Sequence, residues 1–327
     1  MTYKVLALKW RPQSFNDVVG QKHVTQTLSN AFEQKRIGQG YIFTGPRGVG
    51  KTTTARILAM AMNAENGPSV NFNPKSNISL EIANSRSIDV LEIDGASNRG
   101  IEEIRSLREQ IKFSPMRSKF KIIIIDEVHM LTNQAFNALL RTLEEPPQHG
   151  KFIFATTDIH KVPATIISRC QRFDFNNIDI DTILKRLGFI LEKEKIKYDK
   201  ESLRLIANKS SGSMRDALSI LDQAISYCGD NLNYNSVSEA IGVVHHELFF
   251  QYTESILNMN YNQMVTVLSV FIKTGIPAHD ILNDLQIHIR NIIYSKINNP
   301  EILSDFNTDT KKLYKQHSEF WNRKDLI

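Results

Sequence analysis

Two short stretches carry residue types that together could do phosphoryl chemistry. Gly45-Pro46-Arg47-Gly48-Val49-Gly50-Lys51-Thr52 has the G-x-x-x-x-G-K-[ST] spacing of a P-loop, with Thr53 directly after it. Glycines at 45, 48 and 50 free the backbone so that N–H groups can converge on phosphate oxygens, and a following helix adds the partial positive charge of its N-terminus. Lys51 supplies a cation for the β- and γ-phosphates, and Thr52 offers a hydroxyl to Mg²⁺. Downstream, the four isoleucines at 122–125 run into Asp126 and Glu127. A buried strand of that kind delivers two carboxylates where the phosphates should lie. Asp126 would hold the Mg²⁺ shell, and Glu127 would orient and deprotonate the attacking water, the division of labour of a Walker B motif. A glycine-rich connector and a pair of solvated acids are the bland alternatives, and each loses ground because the other motif is present. His129 reads as an ordinary polar residue of the following turn, with no chemistry assigned.

Such chemistry needs a scaffold that brings the two stretches together. From residue 40 to 157, short apolar runs alternate with amphipathic stretches, the pattern of an α/β unit with a parallel sheet. The pattern predicts strands at 39–44, 90–93, 121–125 and 152–156, and helices at 52–62, 101–110 and 133–143, the last stopped by Pro146-Pro147. Ligands of open α/β sheets bind outside the carboxyl ends of the strands, so one site should gather the polar residues found there. After Phe173 the strand signals fade, and helical periodicity takes over at 181–194, 201–210 and 214–226. Further amphipathic helices are expected at 247–257, 261–273 and 277–291. The expected organisation is an α/β nucleotide-binding domain over 1–175, a small helical lid over 176–242 and a helical module over 243–327.

Composition narrows the class. The chain has 327 residues, enough for two or three domains, and its 41% apolar and 23% charged fractions are those of a folded protein. The longest aliphatic run, 122–125, is far too short for a membrane span, and residues 1–11 show no signal-peptide core, so a cytoplasmic protein without membrane attachment is expected. Cys170 and Cys228 are the only cysteines, which excludes a disulfide framework and a four-thiolate zinc site. A net charge of +5 and an isoelectric point near 9.0 give mild support to contact with a polyanion.

Beyond these motifs, the chain resembles the AAA+ clamp-loader ATPases from Val5 to about Asn291. Leu8-Lys9-Trp10-Arg11-Pro12 and Phe15-Asn16-Asp17-Val18-Val19-Gly20-Gln21 look like the family's N-terminal segment. The resemblance implies that this segment closes over the adenine base, with Arg11, Pro12 and Val19 as nucleotide contacts. Asp126-Glu127-Val128-His129-Met130-Leu131, Leu143-Glu144-Glu145-Pro146-Pro147 and Ala155-Thr156-Thr157-Asp158 are similar to the bacterial gamma/tau branch. The archaeal and eukaryotic small subunits of the replication factor C type usually read Asp-Glu-Ala-Asp at the first of these places, and they are the runner-up reading. Thr157 resembles sensor 1, which reports the γ-phosphate to the base. Ser168-Arg169-Cys170 resembles the loader Ser-Arg-Cys motif, which implies that Arg169 is a finger for a neighbouring subunit's ATP. Gly212-Ser213-Met214-Arg215-Asp216 resembles sensor 2. Here local physics speaks separately: Ser213 and Asp216 start a helix, Arg215 falls in its first turn, and a cation there is disfavoured by the helix dipole unless an anion such as phosphate offsets it.

The resemblance also sets out departures and partners. Bacterial relatives commonly carry a four-cysteine zinc module after the first helix of the P-loop unit, whereas 63–88 here has neither Cys nor His, so no zinc is expected, and the segment should pack without metal or stay mobile. The chain stops at Ile327, within what resembles the oligomerising collar, so a short collar or a fragment is expected, without the long tau extension. The implied function is that of an ATP- and Mg²⁺-dependent motor subunit of a hetero-pentameric loader within the DNA polymerase III holoenzyme, with sliding clamp and primer-template DNA as partners and no polymerase activity of its own. Arg99 and Arg105 are candidate DNA contacts, with a solvated basic helix face as the alternative. Two rivals remain: a branch-migration helicase, which should end in a winged helix, and a non-catalytic scaffold subunit, which would usually have a damaged P-loop.

Overall fold

The computed structural model describes residues 4–242, 246–273, 275–297 and 308–322. Packing groups the chain into two compact units, one of 1–194 with 206–222 and one of 195–205 with 223–327. The first unit opens with a single helical turn, α1 (Leu6–Lys9), and α2 (Lys22–Glu33), and then alternates strictly. β1 (Gly40–Thr44) leads to α3 (Lys51–Met62) and α4 (Asn77–Ala83), β2 (Val90–Asp94) to α5 (Ile101–Lys112), β3 (Lys121–Asp126) to α6 (Asn133–Glu144), and β4 (Gly150–Thr156) to α7 (Ala164–Ile167) and β5 (Gln171–Asp174). The five strands form one parallel sheet in the order β2-β3-β4-β1-β5. The four expected strands are present, with ends that differ by no more than two residues.

The isoleucine run explains the sheet. Ile122 and Ile124 face a core shared with α2, α3 and α4, whereas Ile123 and Ile125 face a second core built with α5 and α6. All four are fully buried, because strand neighbours point to opposite faces and both faces are covered by helices. α5 places Ile104, Leu107 and Ile111 on one stripe toward the second core. Thr132 caps α6 by accepting from the Ala135 N–H at 3.2 Å.

β5 lay outside the predicted strands. Only Phe173 of its four residues is buried, so this edge strand shows no apolar run that a periodicity search could find. α2 and α4 were likewise not anticipated.

The segment 63–88 has a definite structure without cysteine or histidine. Asn63 exchanges two bonds with the Phe120 backbone, accepting from its N–H at 2.9 Å and donating to its carbonyl at 3.0 Å. Ser76 caps α4 through the Ser79 N–H. Ile82 is buried, and Val70, Phe72 and Ile78 pack against the core. Arg56 binds Glu92 with both arms of its guanidinium at 2.7 Å and donates a third bond to the Ala83 carbonyl.

Past the sheet, α8 (Ile180–Glu194) belongs to the first unit, and α9 (Lys200–Lys209) and α10 (Met214–Cys228) each contribute to both units. The second unit adds α11 (Tyr234–Ile241), α12 (His246–Leu257), α13 (Tyr261–Lys273), α14 (Ala278–Lys296) and α15 (Thr308–Phe320). It also holds a two-residue parallel pair, β6 (Lys197–Tyr198) with β7 (Asn231–Leu232), where only helices were expected. Ladders that short leave no periodic trace in a sequence. Two aromatic clusters, around Phe249 with Phe271 and around Phe250 with Tyr314 and Trp321, form its interior. α11 and α15 were not foreseen, and α14 runs to Lys296, beyond the expected end at 291. No helix among the described residues is long and apolar enough to cross a membrane.

Candidate nucleotide site

β1, β3 and β4 are neighbours in the sheet, so their carboxyl ends bring three stretches side by side: 45–52, 126–127 and 156–157. Between β1 and α3 the chain makes the expected loop. Gly45, Gly48 and Gly50 all have positive φ, at 144°, 77° and 106°. A side chain at Gly45 would run into the Phe175 carbonyl and one at Gly48 into the Ser213 hydroxyl, so two of the three glycines are required by space as well as by backbone angle. Pro46 and Arg47 span the loop's outer turn, and Val49 is buried in the core shared with α3. Lys51 is buried at the first position of α3 and donates to the Gly45 carbonyl at 2.8 Å and the Pro46 carbonyl at 2.7 Å. Burial lowers its pKa, opposed by the nearby Glu127 and Asp126 carboxylates.

Thr52 donates its hydroxyl to Asp126 Oδ2 at 2.7 Å. Burial raises the Asp126 pKa against that bond, with the Glu127 charge adding to the rise. A hydroxyl and a carboxylate at this separation form an all-oxygen donor set suited to a hard divalent cation. Thr53 follows, half-buried, in the first turn of α3.

Glu127 sits in the left-handed region at φ 47°, a strained setting that turns its side chain away from the course of β3. Its Oε2 accepts from the Thr157 N–H at 3.2 Å and from the Thr157 hydroxyl at 3.0 Å. The expected base and the expected sensor are therefore in direct contact. The same oxygen lies 3.3 Å from His129 Nδ1, which is 3.1 Å from the Thr156 hydroxyl. His129 had been given no chemistry, and its type and place in a turn offered no signal that it would fold back onto Glu127. Gly95 was missed too: its N–H donates to the Asp126 carbonyl at 2.7 Å, and a Cβ there would crowd the Glu127 carbonyl.

The residues that resemble sensor 2 lie over the P-loop. The Arg215 N–H donates to the Gly48 carbonyl at 3.3 Å, and Ser213 caps α10 through the Asp216 N–H at 3.2 Å, as the Ser-x-x-Asp pattern predicts. The N-terminal segment is tied to the same unit by Lys9 and Trp10, which both bind Glu194, and by Gln21, which exchanges bonds with the Asn176 backbone. Arg11 has its pKa lowered by burial and by the neighbouring Arg56, with Glu92, Arg215 and Asp126 also close enough to act on it. Pro12 and Val19 are half-buried beside it in sequence, with no contact that assigns them to a base.

Arg169 is not brought to the P-loop. It follows the short helix α7, and its guanidinium binds Glu144 at 2.8 Å and the Thr165 carbonyl at 2.8 Å. The adjoining Cys170 packs under Gly40, and burial pushes its thiol up to about 12. Of the basic residues considered for DNA, Arg99 donates to the Ala96 carbonyl, and Arg105 pairs with Glu102 on its own helix.

The parallel sheet, the glycine loop closed by a buried lysine and the acidic pair ending the adjoining strand but one define a P-loop ATPase domain of the AAA+ class. A solved structure, the Thermotoga maritima RuvB Holliday junction branch migration motor, shares this fold with a TM-score of 0.55 at 17% identity, over 80% of this chain and 85% of that one. Sequence comparison is more specific. A family described as "DNA polymerase III, delta subunit" matches residues 20–179, and one described as "DNA polymerase III clamp loader subunit, ATPase lid domain" matches 182–230. The gamma subunit of DNA polymerase III from Buchnera aphidicola subsp. Schizaphis graminum is 39% identical over 98% of this chain and 89% of its own length. The tau subunits of Bacillus subtilis and Escherichia coli are 44% and 41% identical over 90% and 87% of this chain, which spans 53% and 44% of theirs. The chain belongs to the gamma/tau family of DNA polymerase III clamp-loader subunits.

Proposed function

We propose that this chain is an ATP-hydrolysing motor subunit that loads a sliding clamp onto primed DNA in the cytoplasm. It would act in a hetero-pentamer with other loader subunits, within a polymerase III holoenzyme whose polymerase activity lies elsewhere. The observation that carries the reading is the pairing of Thr52 with Asp126, while Glu127, one residue on, is held by Thr157 from the neighbouring strand. That arrangement separates a metal-binding pair from a general base, the division that phosphoryl transfer needs. Mg²⁺, held by Thr52 and Asp126, would neutralise charge on the β- and γ-phosphates. Lys51 supports them with its ammonium, Glu127 takes the proton of the attacking water, Arg215 reaches the phosphates from the lid side, and Arg11 contacts the nucleotide from the N-terminal segment. Arg169 serves the ATP of the adjoining subunit, in keeping with its lack of contact with residues 45–52.

The function divides over three modules: 1–175 binds nucleotide, 176–242 closes over it and 243–327 assembles the ring. On α13, Tyr261, Val265, Leu268 and Ile272 are all exposed at helical spacing, an apolar stripe suited to a neighbouring helix. Arg99 and Arg105 would follow duplex phosphates. The decisive experiment measures ATPase with clamp and primed DNA added separately and together. Stimulation that needs both is expected. Stimulation by branched DNA without clamp would favour a helicase instead, a reading disfavoured by the absence of any strand among the described residues beyond 242.

A further inference from the structure

We propose that His129 is a positioning residue for the catalytic carboxylate of Glu127, and this rests on the reading of Glu127 as the base. The hydrogen-bond roles around it follow from counting protons. The Thr156 hydroxyl has one proton, and it faces the Asp158 carbonyl at 3.1 Å, an acceptor with no proton of its own to give. The same hydroxyl oxygen accepts from the Asp158 N–H at 3.0 Å. Thr156 is fully buried at the end of β4, so its orientation is fixed by this two-way exchange. Toward His129 Nδ1, at 3.1 Å, the hydroxyl is therefore an acceptor. The other neighbour of Nδ1 is Glu127 Oε2 at 3.3 Å, also an acceptor. An unprotonated Nδ1 would face two acceptors with its lone pair. The arrangement is satisfied when Nδ1 carries the proton and shares it between Thr156 and Glu127.

The consequence lies in how the base is held. Glu127 Oε2 accepts from the Thr157 N–H and the Thr157 hydroxyl, and lies 3.3 Å from His129 Nδ1. Two bonds from the end of β4 and a close imidazole contact from the turn after β3 thus hold one oxygen of the carboxylate from two directions. The left-handed backbone at Glu127 makes such holding necessary, since the side chain otherwise leaves a strained residue with free rotation about its own bonds. His129 is itself nearly buried, with a side chain 10% exposed, so it is a rigid donor and not a mobile surface ring. Placing a base within a fraction of an ångström of its proton is worth large factors in rate, and a residue that does this acts on turnover rather than on substrate binding.

The test uses the full chain in its assembled complex, with clamp and primed DNA, and compares His129→Asn, His129→Gln and His129→Ala. Asparagine carries an N–H close to the place of Nδ1, whereas glutamine carries its N–H near the place of Nε2. His129→Ala and His129→Gln should lose about tenfold or more in kcat with the KM for ATP within about twofold of the parent, and His129→Asn should keep most of the rate. Equal losses in His129→Asn and His129→Gln would overturn the donor role in favour of packing, and an unchanged kcat in both would overturn any role at all. The asparagine–glutamine contrast stands even if the alanine variant fails to fold. Glu127→Gln is measured alongside: if it turns over normally, the assignment of the base fails, whereas its inactivity with unaltered His129 variants sinks only the present proposal.

Discussion

The two ends of α3 are both polar connectors, and they solve opposite problems. At its start, residues 45–50 hold three glycines at positive φ and bring Lys51 back onto the Gly45 and Pro46 carbonyls. At Gly48 the loop lies close against the lid residues Ser213 and Arg215, where a side chain would not fit. Past its end, residues 63–88 are held largely by side chains: Asn63 grips the Phe120 backbone, Ser76 caps α4, and Arg56 of α3 reaches the Ala83 carbonyl. The first connector concentrates positive charge and backbone donors for a ligand. The second closes upon itself, with apolar plugs from Val70, Phe72 and Ile78. A segment built for a ligand should therefore fail in binding or turnover when altered, and a segment built for packing should fail in stability alone.

The sharpest break in that comparison comes from the site. Lys51→Ala should abolish nucleotide binding, since backbone amides alone do not balance the β- and γ-phosphate charge; Glu127→Gln should bind normally and lose about 10²- to 10⁴-fold in turnover. Equilibrium binding beside steady-state ATPase separates the two, and near-normal affinity in Lys51→Ala would refute the P-loop assignment. Arg169→Ala should leave binding to the isolated chain intact and remove about 10³-fold or more of the stimulated rate in the assembly. Mixed assemblies of Lys51→Ala and Arg169→Ala chains, shown to co-assemble, should recover activity. Rates no better than either alone would make Arg169 structural.

Smaller effects sharpen the contrast between the connectors. Gly48→Ala forces a side chain into positive φ and against the Ser213 hydroxyl, at a cost of about 1–3 kcal/mol, and should weaken ATP binding as well as lower the melting temperature. Asn63→Ala removes both bonds to Phe120 and leaves that backbone unpaired, about 1–3 kcal/mol of stability, with ATP affinity unchanged. Metal analysis of the purified protein should find no stoichiometric zinc.

The smallest effect concerns Asp89, which is buried and accepts from the N–H groups of Met116, Arg117 and Ser118. Burial alone would raise its pKa, but those three bonds, with the charge of Lys121, outweigh it and leave the carboxyl below its ordinary range. A folded-state pKa below the unfolded one stabilises the protein above the unfolded value and loses that contribution as the pH falls toward the folded one. Asp89→Asn should cost about 1 kcal/mol near neutrality and flatten the loss of stability at the acid end. Parallel acid titrations of the two proteins would show this, and identical slopes would exclude it.

How much was legible follows from the range of each interaction. The P-loop and the Asp126–Glu127 pair could be read because their chemistry depends on residues adjacent in the chain, and the isoleucine run because burial on both faces writes itself into consecutive positions. The stretches around Thr157 and Arg215 were legible as a resemblance to sensors 1 and 2. The strand order, which sets the ends of β3 and β4 side by side and so joins Glu127 to Thr157, is a property of the sheet. β5 escaped notice because an edge strand with one buried residue carries no period, and β6 and β7 because two residues are shorter than any period. His129 shows the same limit in a single side chain: its sequence neighbours fix a turn, but its partners Thr156 and Glu127 are joined only when the sheet closes. The sequence by itself determined which chemistry this chain carries, through local spacing and residue type. The tertiary structure alone decided which groups hold Glu127 in place, because hydrogen bonds act over about three ångströms in space, whatever the separation along the chain.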